Sequence, residues 1–452
     1  MKSKTVAEIN KKIGQGKAVV MTAHQLCEMV RGGKSVTLDD VDVVTSATCG
    51  LMSGTAAILS FPVCGRGVFR KAEMLWLNGV PALPGPAPNE RLGEIDTIVY
   101  GTAKSVDNPR YGGGHLFRNI VEGKEIQVRV KTTEGRTLES CVTMKDMTYA
   151  RILAMRNAFK NYTAFVNIHK NPVRTIFHVS AMQGHYKELS FCGCGEINPV
   201  EKDPLLRTIG VGTRCLINGA TGYVTGSGTR STPEKPNLSG FADMRKMKPK
   251  YMGGFSTSAG PEVIGTWAVP IPILDEDILK SAKRIDERTR LPVADIRDRI
   301  PFSVSDYGRV WQGVDLNIKF DRKTCGKSGK DCREKGNKCV VESVCPTGAF
   351  SYSRLSIDKT LCFNCGACVN LCLHHAFMGK LGSVEIRGRE VPVTIRQSNR
   401  LRAQEIAMEL KKRIESGSFL LSAPLENISF GKKDSIPCRQ CDRSYCTGSE
   451  ST

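Results

Sequence analysis

The sequence lacks the features of membrane and secreted proteins. It contains no run of about 18 uninterrupted apolar residues, so no membrane-spanning helix is predicted. Lys11 and Lys12 interrupt the N-terminal segment where a secretion signal needs its apolar core. We therefore expect a cytoplasmic protein that makes no contact with a membrane.

Aromatic residues and clustered charge are also scarce. Only 6% of the 452 residues are aromatic, and the basic residues are spread along the chain without a long run. Nucleic-acid binding combines a basic cluster with stacking aromatic side chains, so no nucleic-acid partner is expected. The formal net charge of +20 instead predicts a basic field that attracts small anionic substrates or an acidic electron carrier.

The pattern of apolar residues predicts a mixed α/β protein. Runs typical of strands occupy residues 41–46, 95–100, 126–130, 175–179 and 215–217. Helices are predicted over residues 144–160, from an N-cap at Asp275 to about residue 288, and over residues 402–416. Residues 81–88 and 225–240 are rich in Pro or Gly and predict loops. The second loop is long enough to act as a lid or a partner contact.

The 18 cysteines divide the chain near residue 322. Seven of them lie in residues 1–321 and 11 lie in residues 322–452. In a chain without a signal peptide, this number predicts metal binding or catalysis in a reducing compartment, not a disulfide framework. We expect a large α/β catalytic domain over residues 1–321, a small ferredoxin-like iron–sulfur domain over residues 322–380, and a helical, cysteine-bearing extension over residues 381–452.

The strongest motif is a C-x2-C-x2-C-x3-C run formed by Cys362, Cys365, Cys368 and Cys372. It is typical of bacterial-type ferredoxins, in which three thiolates hold one [4Fe–4S] cluster and the fourth reaches a second cluster. The run is too compressed for an ordinary tetrahedral zinc site. Cys345, which is followed by proline, is the cysteine that this pattern assigns to the first cluster.

A second [4Fe–4S] cluster is expected from the same resemblance to two-cluster ferredoxins. It would be held by Cys325, Cys332, Cys339 and Cys372. The gaps after the first three of these cysteines are six, six and five residues, wider than the two, two and three of the pattern. A different metal in looser loops therefore stays an alternative for this second site.

The C-terminal tail carries three further thiols. They are Cys438, Cys441 and Cys446. Without a clear fourth ligand, a redox relay, an incomplete metal site and a zinc site completed by another residue all stay open.

Cys49 follows a predicted strand in a glycine-containing segment, residues 45–55. A cysteine at a strand-to-helix turn would meet backbone N–H groups and a helix dipole, which lower the pKa of the thiol. The alternative is a small buried core cysteine, since free cysteine is among the most buried residue types. The residues alone leave both interpretations open.

Three stretches suggest a family. They are GHYKELSFCGCGEINPVEKDP at residues 184–204, RTIGVGTRCLING at residues 207–219 and AVPIPIL at residues 268–274. With them, residues 1–290 resemble the homocysteine-biosynthesis family, which makes a thiol from aspartate semialdehyde and sulfide. Joined to a ferredoxin-like part, the chain resembles the methanogenesis marker 16 metalloprotein branch. That branch is associated with the conversion of sulfoacetaldehyde to 2-mercaptoethanesulfonate, the last step of coenzyme M formation.

This resemblance implies two working cysteines. The first lies in the glycine-rich segment after the early strand; Cys49 falls in that segment but is displaced within the local pattern. The second follows a strand-turn-strand, and Cys141 aligns with it. Cys192 and Cys194 stand where sulfurtransferases of the family have small apolar residues. They are interpreted either as a further redox pair or as tolerated small residues.

The chemistry implied by the resemblance requires a reductant. An aldehyde carbon is more oxidised than a thiol carbon, so sulfide must be joined by two electrons and two protons, and water is released. Two one-electron clusters can deliver that pair. We expect Cys141 or Cys49 to carry sulfur as a persulfide or to attack the aldehyde as a thiolate.

Two other functions remain alternatives. One keeps the chemistry but converts aspartate semialdehyde to homocysteine, and the other is an electron-transfer subunit without catalysis of its own. The expected partners are a small anionic aldehyde, a sulfide or persulfide donor and an electron donor such as a ferredoxin. A homo-oligomer is compatible with these features.

An anionic substrate needs fixed donors. Arg66, Arg70 and Lys71 are candidates for a charged fork, and the backbone of Gly113 and Gly114 is a candidate anion cradle. A solvated basic turn and a flexible loop are the respective alternatives. His115 is the leading candidate proton donor because of its glycine setting.

Overall fold

The computed structural model describes residues 3–85, 91–327 and 339–430. Its α-helices are α1 Val6–Gly14, α2 Ala23–Arg31, α3 Gly113–Val121, α4 Pro199–Lys202, α5 Glu276–Ala282, α6 Gly308–Trp311, α7 Arg322–Lys327, α8 Val340–Val344, α9 Ala367–Leu371 and α10 Arg400–Glu415. Short 3-10 helices lie at Leu38–Asp40, Gly195–Ile197, Met244–Lys246, Pro249–Tyr251 and Asp286–Arg288. Cys332, Cys438, Cys441 and Cys446 lie outside the described residues.

The strands fall into two large sheets and three short pairs. They are β1 Val20–Thr22, β2 Val43–Leu51, β3 Gly54–Pro62, β4 Ala72–Leu77, β5 Val80–Pro84, β6 Glu94–Tyr100, β7 Ile126–Thr132, β8 Thr137–Val142, β9 Tyr149–Asn157, β10 Ala164–Val166, β11 Leu189–Phe191, β12 Gly210–Val211, β13 Arg214–Ile217, β14 Ala220–Ser227, β15 Leu238–Asp243, β16 Gly253–Thr257, β17 Gly260–Pro272, β18 Arg290–Asp295, β19 Pro301–Asp306, β20 Lys319–Phe320, β21 Phe350–Ser351, β22 Ser356–Ile357, β23 Phe377–Met378, β24 Ser383–Ile386, β25 Arg389–Arg396 and β26 Glu426–Asn427.

The larger sheet forms the body of the protein. Its path is β1-β2-β17-β13-β14-β15-β9-β3-β6-β5-β4-β7-β8, with β16 paired to β17. The central strands β2 and β17 are antiparallel along the whole length of β2, and Thr266 stands opposite Cys49. Almost every residue of both strands is buried, because helices and loops cover the two faces of this pair. Helix α10 is one of these covers and packs on β2 and β17.

The smaller sheet joins distant parts of the chain. Its order is β19-β18-β10-β11-β25-β24. The strand β25 pairs in parallel with β11, so residues 389–396 belong to the same sheet as residues 189–191. The segment expected to be a separate extension after residue 380 therefore supplies two strands of this sheet and, through α10, a cover for the larger one.

The predicted mixed α/β fold is confirmed. The strand predictions at residues 41–46, 95–100, 126–130 and 215–217 correspond to β2, β6, β7 and β13. Asp275 caps α5 as expected, accepting a hydrogen bond from the backbone of Ile278 at 2.9 Å, but this helix ends at Ala282. No helix in the described part of the chain is both long enough and apolar enough to cross a membrane.

Three local predictions are wrong. Residues 144–160 contain the strand β9, not a helix, and residues 175–179 form no strand. The buried residues Ala150, Ile152 and Ala154 of β9 alternate with more exposed ones, and the strand is held between β3 and β15. The loop predicted over residues 81–88 begins inside β5, and its residues 86–88 lie outside the described ranges.

Candidate functional site

A pocket with a cavity of about 140 Å³ opens at the end of β2. Residues 48 and 50–53 form one wall, the turn after β11 forms another, and Gln397 and Ser398 close it just before α10. A cavity of this size holds a small molecule about as large as benzene. The two chain segments at residues 45–55 and 184–204, which the sequence singles out, thus meet at one cavity.

Cationic side chains dominate the charged lining of the pocket. They are Arg156, Lys160, Arg230 and Arg299. The guanidinium of Arg156 lies 5.0 Å from the centre of the Phe159 ring, and that of Arg299 lies 4.9 Å from the Phe177 ring. Burial lowers the pKa of Arg156 and Arg230 adds to that effect, so an anion in the pocket would relieve a real electrostatic cost.

Glu262 is the only acidic residue among the described residues that line the pocket. Its side chain is 5% exposed, and Oε2 has no hydrogen-bond partner among the described residues. Burial raises the pKa of this carboxyl, although Ser53 and Arg299 oppose the rise. Burial thus favours the protonated form of Glu262, which can donate a proton and does not compensate the cations of the lining.

Cys192 is the thiol of the pocket. It is partly exposed, and its Sγ donates a hydrogen bond to Oε1 of Gln397 at 2.7 Å. The Nε2 atom of Gln397 donates to the carbonyl of Ile176 at 2.9 Å, which fixes the orientation of the amide. Burial raises the pKa of Cys192, Glu262 adds to the rise, and Arg299 opposes it.

The turn that carries Cys192 is held rigidly. The Tyr307 hydroxyl donates to the Cys192 carbonyl at 2.5 Å, and Trp311 Nε1 donates to the Gly193 carbonyl at 3.1 Å. Gly193 has φ +122°, and a Cβ at this position would collide with the Tyr307 hydroxyl. Only glycine therefore allows this turn to close against the tyrosine.

Cys194 and Cys49 lie behind the wall of the pocket. The Sγ of Cys194 accepts from the Cys49 N–H and donates to the Cys49 carbonyl, both at 3.5 Å. Cys194 is completely buried, whereas Cys192 faces the pocket. The two thiols expected as a redox pair thus occupy different surroundings, and they are not joined in a disulfide.

Cys49 lies within β2, so the expected strand-to-helix turn at this residue is wrong. Thr48 and Gly50 line the pocket, and side chains alternate along a strand, so the Cys49 thiol faces the other side. There the Thr266 hydroxyl lies 3.1 Å from its sulfur. Burial raises the pKa of Cys49 to about 12, although Arg402 opposes this.

The helix terminus expected beside Cys49 is present, but it comes from α10. The backbone N–H of Asn399, the N-cap of α10, donates to the Cys49 carbonyl at 2.9 Å. Arg402, in the first turn of this helix, donates to the carbonyls of Thr360 and Cys362, each at 2.7 Å. The first turn of α10 thereby lies between the buried thiol and the ferredoxin-type cysteines.

A buried ion network fixes α10 to the turn behind Cys192. Arg400 pairs with Glu196 at 2.8 Å and with Asp286 at 2.5 Å. Arg31 of α2 also pairs with Glu196. Because both carboxylates are fully buried, these cations are needed to compensate their charge.

Cys141 lies outside this pocket. It is exposed on β8, the edge strand of the larger sheet, in a groove lined by Trp76 and Arg129. The Cys141 thiol donates a hydrogen bond to the neighbouring Glu125 carboxylate, which raises the pKa of the thiol. The structure therefore brings Cys49, Cys192 and Cys194 together and leaves Cys141 apart.

The predicted anion fork also lies elsewhere. Arg66, Arg70 and Lys71 belong to the connection between β3 and β4, and none of them lines the pocket. The backbone N–H of Arg70 donates to Oε1 of Glu134 at 2.7 Å. The four cations of the pocket come from other segments, and only Arg230 falls in a stretch, residues 225–240, that the sequence marked as functional.

The glycines that were predicted to bind an anion serve close packing instead. Gly113 and Gly114 begin α3, and a Cβ on Gly114 would lie 2.7 Å from the carbonyl oxygen of Gly253, while one on Gly113 would collide with Tyr100. His115 accepts a hydrogen bond from the Gly112 N–H at 3.2 Å, and burial lowers its pKa to about 4. Close packing explains these glycines, and His115 caps its helix.

The ferredoxin-type thiols of the first predicted cluster converge. Cys345, Cys362, Cys365 and Cys368 act electrostatically on one another, and burial raises the pKa of the last three. Their loops are anchored to the rest of the fold: Arg110 donates to the Cys345 carbonyl at 2.7 Å, and the Arg396 N–H donates to the Cys365 carbonyl at 2.8 Å. Four thiols around one place are the donor set that a [4Fe–4S] cluster needs.

The thiols of the second predicted cluster are described only in part. Cys325 and Cys339 are buried in one apolar cluster, and Cys372 packs against it. Cys332 lies outside the described residues. The three described thiols thus belong to one apolar cluster, and the second metal site stays a prediction.

This arrangement defines a class of protein. An α/β body with a cationic pocket, a thiol, a buried carboxyl and a neighbouring group of thiols is suited to sulfur chemistry on small anions. The family described as "Homocysteine biosynthesis enzyme, sulfur-incorporation" matches residues 18–421, and the chain belongs to this family. The family suggested by the sequence motifs is thereby confirmed.

Several relatives support the same assignment. The chain is 47% identical over 417 residues to an uncharacterized protein of Methanothermobacter thermautotrophicus, covering 92% of this chain and 94% of that one. It is 40% identical over 402 residues to an uncharacterized protein of Methanocaldococcus jannaschii, covering 88% and 98%. It is 29% identical over 348 residues to the L-aspartate semialdehyde sulfurtransferase of the latter organism, covering 72% and 66%. No solved structure matches the chain. These matches identify a sulfurtransferase-type enzyme.

Proposed function

We propose that this protein joins sulfide reductively to a small anionic aldehyde, and that its substrate is sulfoacetaldehyde, which yields 2-mercaptoethanesulfonate. The observation that carries the proposal is the charge of the pocket: Arg156, Lys160, Arg230 and Arg299 line it, against one carboxyl. A sulfonate keeps its negative charge at any biological pH. Guanidinium groups are the donors that suit such a head group.

The same charge distribution separates two candidate aldehydes. Aspartate semialdehyde carries an ammonium group beside its carboxylate, and an ammonium group needs an acidic or carbonyl partner. Glu262 is the only acid on the described lining, and burial favours its neutral form. Sulfoacetaldehyde has no cationic group, so it fits this lining without leaving a charge unpaired. The L-aspartate semialdehyde sulfurtransferase relatives keep homocysteine formation as the alternative.

The reaction needs a reductant as well as sulfur. Aldehyde, hydrogen sulfide, two electrons and two protons give the thiol and one water. The thiols of Cys345, Cys362, Cys365 and Cys368 fit one [4Fe–4S] cluster, and Cys325, Cys332, Cys339 and Cys372 would hold a second. Such clusters, when bound, supply electrons one at a time. A ferredoxin-type donor would reload them.

Substrate binding, proton donation and sulfur transfer are assigned to different side chains of the protein. The pocket cations bind and orient the head group, and the buried acid Glu262 holds a proton near the reacting end. Cys141 is exposed and suits the uptake of the outer sulfur of a persulfide donor, an exchange that needs no oxidant. Cys49 is buried between the pocket wall and Arg402, and it is the candidate for holding sulfur inside the fold.

The test is turnover by the isolated chain. Protein purified without oxygen is supplied with sulfide, a chemical reductant and either aldehyde, and the thiol products are quantified. Iron and acid-labile sulfide content and the EPR spectrum of the reduced protein are measured on the same sample. We expect two clusters per chain and a preference for sulfoacetaldehyde. A sample without iron, or full thiol formation after iron removal, would contradict the proposal.

Two variants test the sulfur carriers, and two further results would favour the alternative functions. Cys49→Ser and Cys141→Ser are compared with retained cluster content, and full activity in both would exclude either as sulfur carrier. A preference for aspartate semialdehyde would favour homocysteine formation. An iron-loaded chain that reduces partner proteins but converts neither aldehyde would be an electron-transfer subunit.

A further inference from the structure

We propose that Cys192 and Glu262 are the nucleophile and the acid that act on the aldehyde in the pocket. The Cys192 sulfur adds to the aldehyde carbon, and the carboxylic acid of Glu262 gives a proton to the aldehyde oxygen. The inference deepens the proposed function, because that function supplies the identity of the aldehyde. The pair itself follows from the lining of the pocket.

Cys192 is placed where a small anionic aldehyde would bind. It is the only cysteine among the described residues that line the pocket, and it is partly exposed. The two cysteines expected to be catalytic do not meet this condition. Cys49 is fully buried on the far side of β2, and Cys141 lies in the groove at the sheet edge.

The sulfur of Cys192 is positioned by groups that do not react. Gln397 accepts its hydrogen bond at 2.7 Å, and the amide of Gln397 is held by the Ile176 carbonyl. The backbone on either side of the thiol is held by Tyr307 and Trp311. A nucleophile fixed in this way loses little entropy when it attacks a bound carbonyl.

Glu262 supplies the second, independent observation. Its Oε2 is buried and has no partner among the described residues, although the residue lines the pocket. An unpaired buried oxygen of this kind is costly unless a ligand uses it. A protonated carboxyl there can donate to an aldehyde oxygen and later to the departing hydroxyl.

Arg299 connects the pair to the charge of the site. Its guanidinium acts electrostatically on both Cys192 and Glu262. Burial raises the pKa of both groups, and Arg299 opposes that rise at each of them. Arg299 is also one of the cations that line the pocket.

The steps balance with sulfide and two electrons. The thiol adds to the aldehyde, R–CHO: the C–S bond forms, the C=O π bond and the S–H bond break, the oxygen takes the proton of Glu262, and the resulting carboxylate takes the thiol proton. The adduct is R–CH(OH)–S–Cys192, and Glu262 is again protonated. Protonation by Glu262 releases the hydroxyl as water, and hydrosulfide adds to the same carbon to give R–CH(SH)–S–Cys192. Two electrons and two protons from a low-potential reductant then cleave the carbon–sulfur bond to Cys192. The products are R–CH2–SH and the regenerated thiol.

The first experiment needs no variant. Iron-loaded wild-type protein is alkylated without oxygen by iodoacetate or, separately, by its neutral analogue iodoacetamide, and labelling is followed by peptide mass spectrometry. The exposed Cys141 is the internal reference. The pocket cations should raise the iodoacetate-to-iodoacetamide rate ratio at Cys192 at least about tenfold above that at Cys141, equivalent to about 1.4 kcal/mol. Sulfoacetaldehyde should protect Cys192 and leave Cys141 unprotected.

Variants test the chemical roles. Cys192→Ser should abolish thiol formation, while Cys64→Ser, a partly exposed cysteine outside the pocket lining, should retain it. Glu262→Gln keeps the shape of the side chain but carries no acidic proton. It should leave the labelling of Cys192 intact and lower kcat by about 10²–10⁴-fold, and it should flatten the pH profile of kcat. Iron content equal to wild type shows that each variant is folded.

The outcomes distinguish this inference from the proposed function. Turnover that persists in Cys192→Ser, or equal reagent ratios at Cys192 and Cys141, would overturn the assignment even if the enzyme makes the expected thiol. Selective labelling and aldehyde protection of Cys192 without any turnover would support the addition step. In that case the proposed overall reaction would fail and the assignment of the nucleophile would stand.

Discussion

Removing the charge of Arg400 should lower the free energy of unfolding more than removing a charge at the protein surface. Its side chain is 4% exposed and compensates Glu196 and Asp286, which are fully buried. In Arg400→Met, Arg31 still pairs with Glu196, but it lies 3.8 Å from Asp286, so the aspartate loses its close partner. Breaking a buried pair costs about 3–5 kcal/mol, and the remaining Arg31 places this case near about 3 kcal/mol. That is about a hundredfold in the unfolding equilibrium.

The pH dependence of the loss has a fixed sign. In the wild type, burial alone would raise the pKa of Glu196, but Arg400 and Arg31 hold it below its usual value. Burial raises the pKa of Asp286, and Arg400 opposes that rise. The attraction to Arg400 therefore stabilises the protein above the ordinary pKa of a carboxyl, about 4, and is lost as the pH falls. In Arg400→Met, Asp286 stays buried but loses the cation that opposes the rise of its pKa, so this carboxyl takes up a proton at a higher pH than in the wild type. The stability deficit of Arg400→Met should therefore be larger at pH 8 than at pH 5.

Urea unfolding followed by tryptophan fluorescence measures this deficit. Trp311 is a local probe, because the Arg400 guanidinium lies 5.6 Å from its ring. Lys412→Met on the same helix is the matched control, since it removes one positive charge at an exposed position. Equal midpoints for Arg400→Met and Lys412→Met, or a deficit that grows as the pH falls, would refute the reasoning.

Two further predictions concern the pocket. In Gly193→Ala, the new Cβ collides with the Tyr307 hydroxyl at φ +122°, so we expect a free energy of unfolding lower by about 1–3 kcal/mol, measured from urea midpoints, and slower alkylation of Cys192 in this turn. Gly14→Ala, whose new Cβ meets no atom within 4 Å, is the control and should change stability little. In Arg230→Gln, the KM for the anionic aldehyde should rise about tenfold, while that for an uncharged aldehyde of similar size stays the same. Lys235→Gln, an exposed change in the same loop, is its control, and equal KM values in the two variants would show that Arg230 does not contact the substrate.

Sequence patterns predicted the strands that carry a strong local signal. The alternation at residues 126–130 and the run at residues 95–100 match β7 and β6, because each strand has one buried and one more exposed face. The segment at residues 144–160 failed for a physical reason. Its apolar residues fit both a helical and a strand period, and pairing with β3 and β15 decided between them. That choice depends on partners far away in the chain.

From the sequence, the candidate site could be predicted only where its residues lie close together in a motif. The cysteine run marked the first group of thiols, since its ligands lie close together in sequence. The cations of the pocket, Arg156, Arg230 and Arg299, come from three separate segments, and no local pattern distinguishes them from other basic residues in a chain of net charge +20. Glu262 becomes visible only when the unpaired state of its oxygen is known.

The start of α10 explains why the family extends beyond the cysteine region. Gln397 holds the Cys192 thiol, Ser398 accepts the Gly193 N–H at 2.8 Å, and Asn399 binds the Cys49 backbone. Arg400 then neutralises the buried carboxylates, and Arg402 binds the carbonyl of Cys362. Within six consecutive residues, the chain thus closes the pocket, covers the buried thiol and anchors the cysteine loops. A catalytic part that ended near residue 322 would lack all of these contacts, so the match over residues 18–421 follows the physical unit.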